Sequence, residues 1–368
     1  LVVDLRVDVA DVEMLRPVFD EEPGVLHDAR AVGPRVQVVW LESVLDEEPC
    51  DVPPVFLSSC GVGRVVAESR ECDWREVWDA FLECEVALAA TIKKAYDEVK
   101  AAGLLEYAYF YCYDENPAEL FEMISRSLRR VREIAPEVPI YTTMYDSTFG
   151  QASNTIGFVD GWIPLTKVYG DNQKGIEEAR ARGEKIGWYV CCTPLAPYAN
   201  FLLEMPSTAN RLLMGFMNKK FKTDFFLYYN ATVWRIYEKN QTGSYVIVGV
   251  PDPISGGPLI GGDWYGESFQ NFAGDGRLTY PAMDGPIPTQ RIKMIRDGIE
   301  DWMYLDMLEK AVDNSSDMSA EWYSTAIKEM AVEDELVTSL IEWTTDPALV
   351  KDKKARIADL LEEYYKTK

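Results

Sequence analysis

One histidine, His27, is all that 368 residues provide. Catalysis of the Ser/His/Asp or Cys/His kind would have to rest on that imidazole, and a zinc site with two histidine ligands cannot be built. A lone histidine in a loop-like segment reads as a surface residue. Basic side chains are scarce as well: 37 Lys and Arg stand against 61 Asp and Glu, a net charge of -24 and a pI near 4.5. Phosphate backbones and anionic membrane surfaces are bound by clustered Lys and Arg, so the composition argues against both, and a neutral ligand fits better. The seven cysteines, at 50, 60, 72, 84, 112, 191 and 192, never take a CxxC spacing. That argues for buried thiols over a disulfide framework, with one bridge among Cys50, Cys60 and Cys72 left open. Vicinal Cys191 and Cys192 read as strand packing in preference to a redox or metal site. No stretch is long and apolar enough to span a bilayer. A basic and apolar secretory leader is missing too, so the compartment is unreadable, secreted and cytoplasmic alike. There is no GxGxxG after a strand, no P-loop and no metal cluster, so redox or phosphate chemistry is disfavoured and neither metal nor cofactor is expected.

What is present centres on YAYFYCYDEN, Tyr107 to Asn116. The aromatic run Tyr107 to Tyr113 predicts a buried strand whose polar end is Asp114-Glu115. Asn116 is then expected to cap a helix over Ala118 to Glu133, with Pro117 at its first position. Two adjacent carboxylates therefore stand at the carboxyl end of a strand, where β/α architectures build active sites. Successive side chains of a regular strand face opposite ways, so both reach one ligand only if the chain bends there.

The first seventy residues are the least legible; Leu1 to Val9, Val36 to Leu41 and Val55 to Ser58 are candidate strands. Asp73 opens an expected helix stopped by Gly103. After the carboxylate strand, strands are expected at Val138 to Met144, Gly157 to Pro164, Ile186 to Cys192 and Asp224 to Asn230, with helices near Gly175 to Arg182 and Ser207 to Phe221. Strands alternating with helices imply a parallel sheet with right-handed crossovers. Five strands plus three from the opening hundred residues make an α/β fold of the (β/α)8 TIM-barrel type, incomplete in its first strands. Tyr245 to Gly276 reads as a long loop, Gln290 to Ala311 as a helix, and Ala320 to Tyr365 as further helices broken at Pro347. The expected division is 1–72 as an amino-terminal segment, 73–310 as the barrel and 311–368 as a carboxy-terminal helical extension. Three sequons, at Asn230, Asn240 and Asn314, are short enough to arise by chance.

Several ordered blocks resemble the family 123 glycoside hydrolases. They are YDEN at 113–116, GWYVCCTPLAPYANF at 187–201, ANRLLMGFMNKKFKTDFFLYYNATVW at 209–234, GDGRLTYPAMDGPIPTQRIKMIRDGIEDWMYLDML at 274–308 and ELVTSLIEWTTDP at 335–347. The resemblance covers roughly the last 260 residues, the size of a domain. It implies a β/α barrel with a characteristic carboxy-terminal region and an exo-acting β-N-acetylgalactosaminidase activity. Members look longer, with a β-sandwich ahead of the barrel; none is evident before Asp73.

Adjacent carboxylates suit a mechanism in which the substrate's own acetamido group is the nucleophile, since a protein nucleophile would sit about 5 Å from the acid across the bond. In that scheme Glu115 protonates the glycosidic oxygen and later deprotonates water, while Asp114 receives the acetamido N–H and stabilises an oxazolinium intermediate. Aromatic walls and the neighbouring charge are expected to favour a protonated Glu115. Tyr145, Asp146, Tyr189, Tyr198, Asn200, Tyr229, Asn230, Trp234, Trp264 and Tyr265 are candidate substrate contacts, aromatics to stack on a pyranose and hydroxyls or amides to bond it. Arg277, Asp284 and the segment Arg296 to Trp302 are expected to serve structure. The leading function is thus a cofactor-free retaining exo-β-N-acetylhexosaminidase, with terminal N-acetylgalactosamine the expected sugar. A carbohydrate-binding protein whose catalysis has lapsed is one alternative. Another is a glycosidase of a different sugar, with Asp146, Asp160 or Asp263 as nucleophile.

Overall fold

A computed structural model describes residues 89–233, 272–280 and 285–368, with the backbone of 2–5, 236–239 and 245–249. The chain divides into two compact units, one of residues 37–188 and one of residues 1–36 with 189–368. Strand β1 (Val2–Leu5) belongs to the second unit.

The first unit opens with helix α1 (residues 89–101). It stops where expected: Gly103 is left-handed, with φ 71°, and the Leu104 N–H returns to the Val99 carbonyl at 3.0 Å, the six-to-one bond of a glycine-stopped helix. Then follow β2 (Phe110–Tyr111), α2 (Phe121–Ile134), β3 (Ile140–Thr142), β4 (Gly161–Trp162), α3 (Thr166–Asp171), α4 (Gln173–Ala181) and β5 (Lys185–Ile186). The four strands pair in parallel in chain order. Helix α2 buries Phe121, Ile124, Leu128 and Val131, a spacing of three and four that makes one apolar stripe along the helix. Four such side chains contribute about 6–12 kcal/mol at most. Strand residues Ile140, Trp162 and Ile186 are fully buried, as are Tyr169 and Trp188, which meet edge to face at 4.9 Å.

In the second unit β6 (Trp188–Val190) and β7 (Phe225–Tyr228) join β1 in the order β1-β7-β6, with β1 and β7 parallel. Helix α5 (Ser207–Leu212) runs through a π turn at Leu213–Met217 into α6 (Asn218–Lys220). An antiparallel hairpin follows, β8 (Ile236–Lys239) and β9 (Tyr245–Gly249), then a short one, β10 (Thr279–Tyr280) and β11 (Ile287–Pro288). Helices α7 (Gln290–Asp313), α8 (Ala320–Met330) and α9 (Pro347–Thr367) end the chain. Each is capped by its own sequence: Thr289 accepts from Ile292 N–H, Ser319 from Trp322 N–H and Asp346 from Ala348 N–H, with Pro347 in the first turn, the arrangement that satisfies otherwise orphaned amides.

The π turn crosses α7 closely. A Cβ on Gly215 would lie 2.7 Å from the Gly298 carbonyl, and one on Gly298 would meet the Arg211 carbonyl. Beside the crossing, buried Arg211 forks onto fully buried Asp301, Nε to Oδ2 at 2.5 Å and Nη2 to Oδ1 at 2.8 Å. Burial works against the Arg211 charge, and the Asp301 carboxylate more than restores it, raising the guanidinium above its ordinary value. Segment 296–302 thus ties helices together, as a structural role requires. Lys353, also fully buried, is held by Glu329 at 3.0 Å, Glu333 at 2.9 Å and the Ala331 carbonyl at 2.8 Å, so its charge is fully partnered.

Two expectations need correction, and a third falls mostly outside the described residues. The parallel strands are two to four residues long and fall into a four-stranded and a three-stranded sheet, and no closed barrel is seen among the described residues. Of the three early strands only β1 is described; Val36 to Leu41 and Val55 to Ser58 lie outside the described residues. Residues 245–249 are a strand, not loop, because Tyr245, Ile247 and Gly249 pair back onto β8.

Candidate active site

The aromatic run before the carboxylates forms strand only at Phe110 and Tyr111. Leu105–Tyr107 is a 3-10 turn, and the chain leaves extended geometry again at Tyr113 and Glu115, whose φ values of 65° and 56° are left-handed. Such a conformation costs a non-glycine residue about 1–2 kcal/mol. It therefore persists only where neighbours enforce it.

The end of β3 does the enforcing. Thr142 Oγ1 donates to the Tyr113 carbonyl at 3.1 Å, Thr143 Oγ1 donates to Asp114 Oδ1 at 2.6 Å, and the Tyr145 N–H donates to the Asn116 carbonyl at 3.1 Å. Tyr111 adds its hydroxyl to the same Asp114 oxygen at 2.8 Å and lies 2.7 Å from Thr143 Oγ1. Asp114 and Glu115 themselves are exposed to solvent. The aromatic walls expected around Glu115 do not bury it. Asn116 makes no cap either. The position before the 3-10 turn Ala118–Leu120 is Pro117, without a side-chain cap, and α2 proper starts only at Phe121. Left-handed Glu115 turns Asn116 inward, where it is buried and its Oδ1 has no hydrogen-bond partner.

Of the other candidates in this unit, Tyr145 is half exposed at the end of β3. Asp146 is not open to a ligand. It is buried and accepts five hydrogen bonds, from the N–H groups of Thr148 (2.8 Å), Gly150 (3.1 Å) and Ser153 (3.0 Å) and the hydroxyls of Thr148 (2.5 Å) and Ser153 (2.6 Å). Burial pushes its pKa up, but those donors outweigh it and hold the carboxyl below its ordinary value. Asp160 is likewise spent, on Arg132 and on the Ile140 N–H at 2.7 Å. Neither is placed as a nucleophile.

In the second unit Tyr189 is buried within β6 and Tyr198 is partly exposed. Asn200 is fully buried and acts as a pin for its loop. Its Nδ2 donates to the carbonyls of Cys191 (2.9 Å) and Pro194 (3.0 Å), and its Oδ1 accepts from Phe201 N–H at 2.5 Å. Asn230 Oδ1 accepts from Thr232 N–H at 2.7 Å, closing an Asx turn. Tyr229 donates to Asp275 Oδ2 at 2.8 Å, and Tyr228 reaches Oδ1 at 3.4 Å while accepting from Gly276 N–H at 2.8 Å. Burial, then the Asp275 charge, pushes both phenols far above their ordinary values. Asp275, fully buried, was not among the residues singled out from sequence. Its signal is the GDG triplet: Gly274 and Gly276 are left-handed, at φ 79° and 67°, and a Cβ on Gly276 would lie 2.6 Å from the Tyr229 hydroxyl. Trp234, Trp264, Tyr265 and Asp263 lie outside the described residues.

Cys112, Cys191 and Cys192 are free thiols. Cys191 and Cys192 sulfurs are 3.8 Å apart, and hydrogen bonding to Cys192 together with burial pushes the Cys191 thiol up, the state of a packed thiol and not of a reactive one. Among the described residues no cluster of three His, Cys, Asp or Glu could hold a metal ion, and no helix is long and apolar enough to cross a membrane.

Residues 63–308 match the family model described as Glycoside hydrolase 123, catalytic domain. Among solved structures the chain is similar to a family 123 glycoside hydrolase from Clostridium perfringens, studied for glycolipid glycan hydrolysis, at 11% identity and a TM-score of 0.44; the similarity covers 77% of this chain and 44% of that one. The chain thus spans less than half the length of that relative. Comparison with curated proteins finds no match.

Proposed function

The chain belongs to glycoside hydrolase family 123, and from that membership and the end of β2 we propose that it is a retaining exo-β-N-acetylhexosaminidase using the substrate's acetamido group as nucleophile. The observation that carries the reading is the pair of exposed carboxylates, Asp114 and Glu115, at the carboxyl end of a parallel strand, with left-handed residues at 113 and 115. Strain of this kind at a strand end marks a presented site. A straight strand would send the two side chains to opposite faces.

In the proposed reaction Glu115 gives its proton to the glycosidic oxygen as the bond to the anomeric carbon breaks. The acetamido oxygen attacks that carbon and forms the oxazolinium ring, while Asp114 accepts the acetamido N–H and balances the positive charge. Glu115, now a carboxylate, takes a proton from water; the water oxygen bonds the anomeric carbon, the ring reopens, and the product keeps its configuration. The half-exposed ring of Tyr145 offers a stacking face for a pyranose. Terminal N-acetylgalactosamine on a glycan is the proposed substrate.

Hydrolysis of chromogenic β-GalNAc, β-GlcNAc, β-galactoside and β-glucoside tests this, with Glu115→Gln, Asp114→Asn and an oxazoline-mimicking thiazoline. Turnover should be confined to acetamido sugars, blocked by the thiazoline and lost in both variants. Cleavage of sugars without an acetamido group, or activity surviving Asp114→Asn, overturns substrate assistance.

A further inference from the structure

Among the described residues Asp114 is held through one oxygen. Oδ1 lies 2.8 Å from the Tyr111 hydroxyl and 2.6 Å from Thr143 Oγ1, and those two hydroxyls lie 2.7 Å from each other. Two hydroxyl protons serve three short contacts. Each hydroxyl can donate along one of its two edges, and they cannot both donate to each other. Every allowed arrangement therefore leaves Oδ1 with at least one proton donor. Oδ2 accepts no hydrogen bond among the described residues, and the side chain is exposed.

Both donors come from rigid places. Tyr111 ends β2, and Thr143, 2% exposed, follows the last residue of β3, whose Tyr141 is the parallel partner of Tyr111. The neighbouring bonds from Thr142 to the Tyr113 carbonyl and from Tyr145 N–H to the Asn116 carbonyl fix the backbone on either side of Asp114. From this we infer that Tyr111 and Thr143 are positioning residues that occupy Asp114 Oδ1 and so reserve Oδ2 for a single donor, the acetamido N–H of the substrate. The inference rests on the reaction proposed above. It adds which oxygen meets the sugar and which side chains decide it. A carboxylate free to rotate would share the acetamido N–H between two oxygens and lose the orientation that aims the acetamido carbonyl at the anomeric carbon.

The test is steady-state kinetics on a chromogenic β-GalNAc substrate for wild type, Thr143→Val, Thr143→Ser, Tyr111→Phe and the Thr143→Val/Tyr111→Phe double variant, with thiazoline inhibition and thermal midpoints alongside. Loss of one hydrogen bond to a charged group should lower kcat about tenfold in each single variant. KM should move less than about threefold, and the thiazoline should weaken by the same factor as kcat. Thr143→Ser should recover to within about threefold of wild type, since it restores the hydroxyl without the methyl. The double variant should lose more than the product of the singles, because either hydroxyl alone still serves Oδ1. Wild-type kcat in Thr143→Val alongside a dead Asp114→Asn overturns the inference and leaves the reaction standing. Equal losses in Thr143→Val and Thr143→Ser, tracking a fall in thermal midpoint, also overturn it, in favour of packing. A wild type that turns over no acetamido sugar, or an Asp114→Asn variant as active as wild type, overturns the proposed reaction, and the positioning role falls with it.

Discussion

At Glu115 the backbone and the side chain make opposite demands, and the conflict can be measured. The residue is left-handed, at φ 56°, a conformation that costs any residue with a Cβ about 1–2 kcal/mol. Glu115→Ala removes the carboxylate and keeps that cost; Glu115→Gly removes both. Glycine has a cost of its own, about 0.4–1 kcal/mol from the larger freedom of its unfolded chain. Taking the middle of each range, roughly 1.5 less 0.7, the glycine variant should be the more stable of the two by about 0.8 kcal/mol. At an ordinary helical or extended position the order reverses, with alanine ahead by about 0.5–1 kcal/mol. The sign alone is therefore diagnostic. Glu119, in the 3-10 turn Ala118–Leu120, supplies the control position on the same segment. Urea midpoints at a common m-value are the assay, and both Glu115 variants should be equally inactive, since neither carries the acid. If alanine is the more stable residue at 115 as it is at 119, Glu115 does not sit left-handed in solution. The argument that the chain bends to present both carboxylates then fails.

Two further outcomes follow from the packing. Asp146→Asn places an amide donor among three N–H and two O–H donors and should cost about 2–4 kcal/mol at neutral pH. The folded carboxyl is held below its unfolded value, so its stabilisation is full above ~pH 4 and is lost as pH falls through the folded value; urea midpoints of wild type and variant should converge in acid. Gly298→Ala drives a methyl group onto the Arg211 carbonyl at the crossing with the π turn. It should cost about 1–3 kcal/mol, whereas alanine at Gly183, where a Cβ meets nothing within 4 Å but φ is 90°, tests backbone strain without a clash.

What could be read in the sequence divides by mechanism. The carboxy-terminal helices were legible because their signals are local: Thr289, Ser319 and Asp346 each cap their own first turn, and Gly103 stops α1 with its own φ. The aromatic run at 107–113 marked the place of the carboxylates, but it is only half-buried where a buried strand was expected, and its backbone was not legible. Bonds from Thr142 and Thr143, some thirty residues away in sequence, impose the bend. Asn116 looked like a cap for the same reason, since its fate depends on Glu115 being left-handed. Asp146 and Asn200 looked like ligand residues because a buried polar side chain that organises a loop has the same composition as one that binds a sugar. Only their partners separate the two, five donors for Asp146 and two carbonyls with an amide for Asn200. Asp275 was missed because a single aspartate in a glycine-rich loop carries no periodicity, although the glycines on both sides of it announce a backbone forced left-handed twice in three residues.

The two carboxylates at the end of β2 are adjacent in sequence and fixed by different means. Asp114 is set by its side chain, through hydroxyls at the ends of two strands; Glu115 is set by its backbone, through a φ that few residues of its kind adopt. The difference suits the work proposed for them. A residue that must hold one N–H and balance a charge gains from a locked carboxylate, because electrostatic stabilisation depends on groups already oriented before the charge develops. A residue that gives a proton to one oxygen and later takes one from a water has to serve two partners in turn, and a fixed backbone root keeps its carboxyl within reach of both. Short strands suffice for this, because the precision comes from the clasp between β2 and β3 and from the strain it holds, not from the length of the sheet behind them.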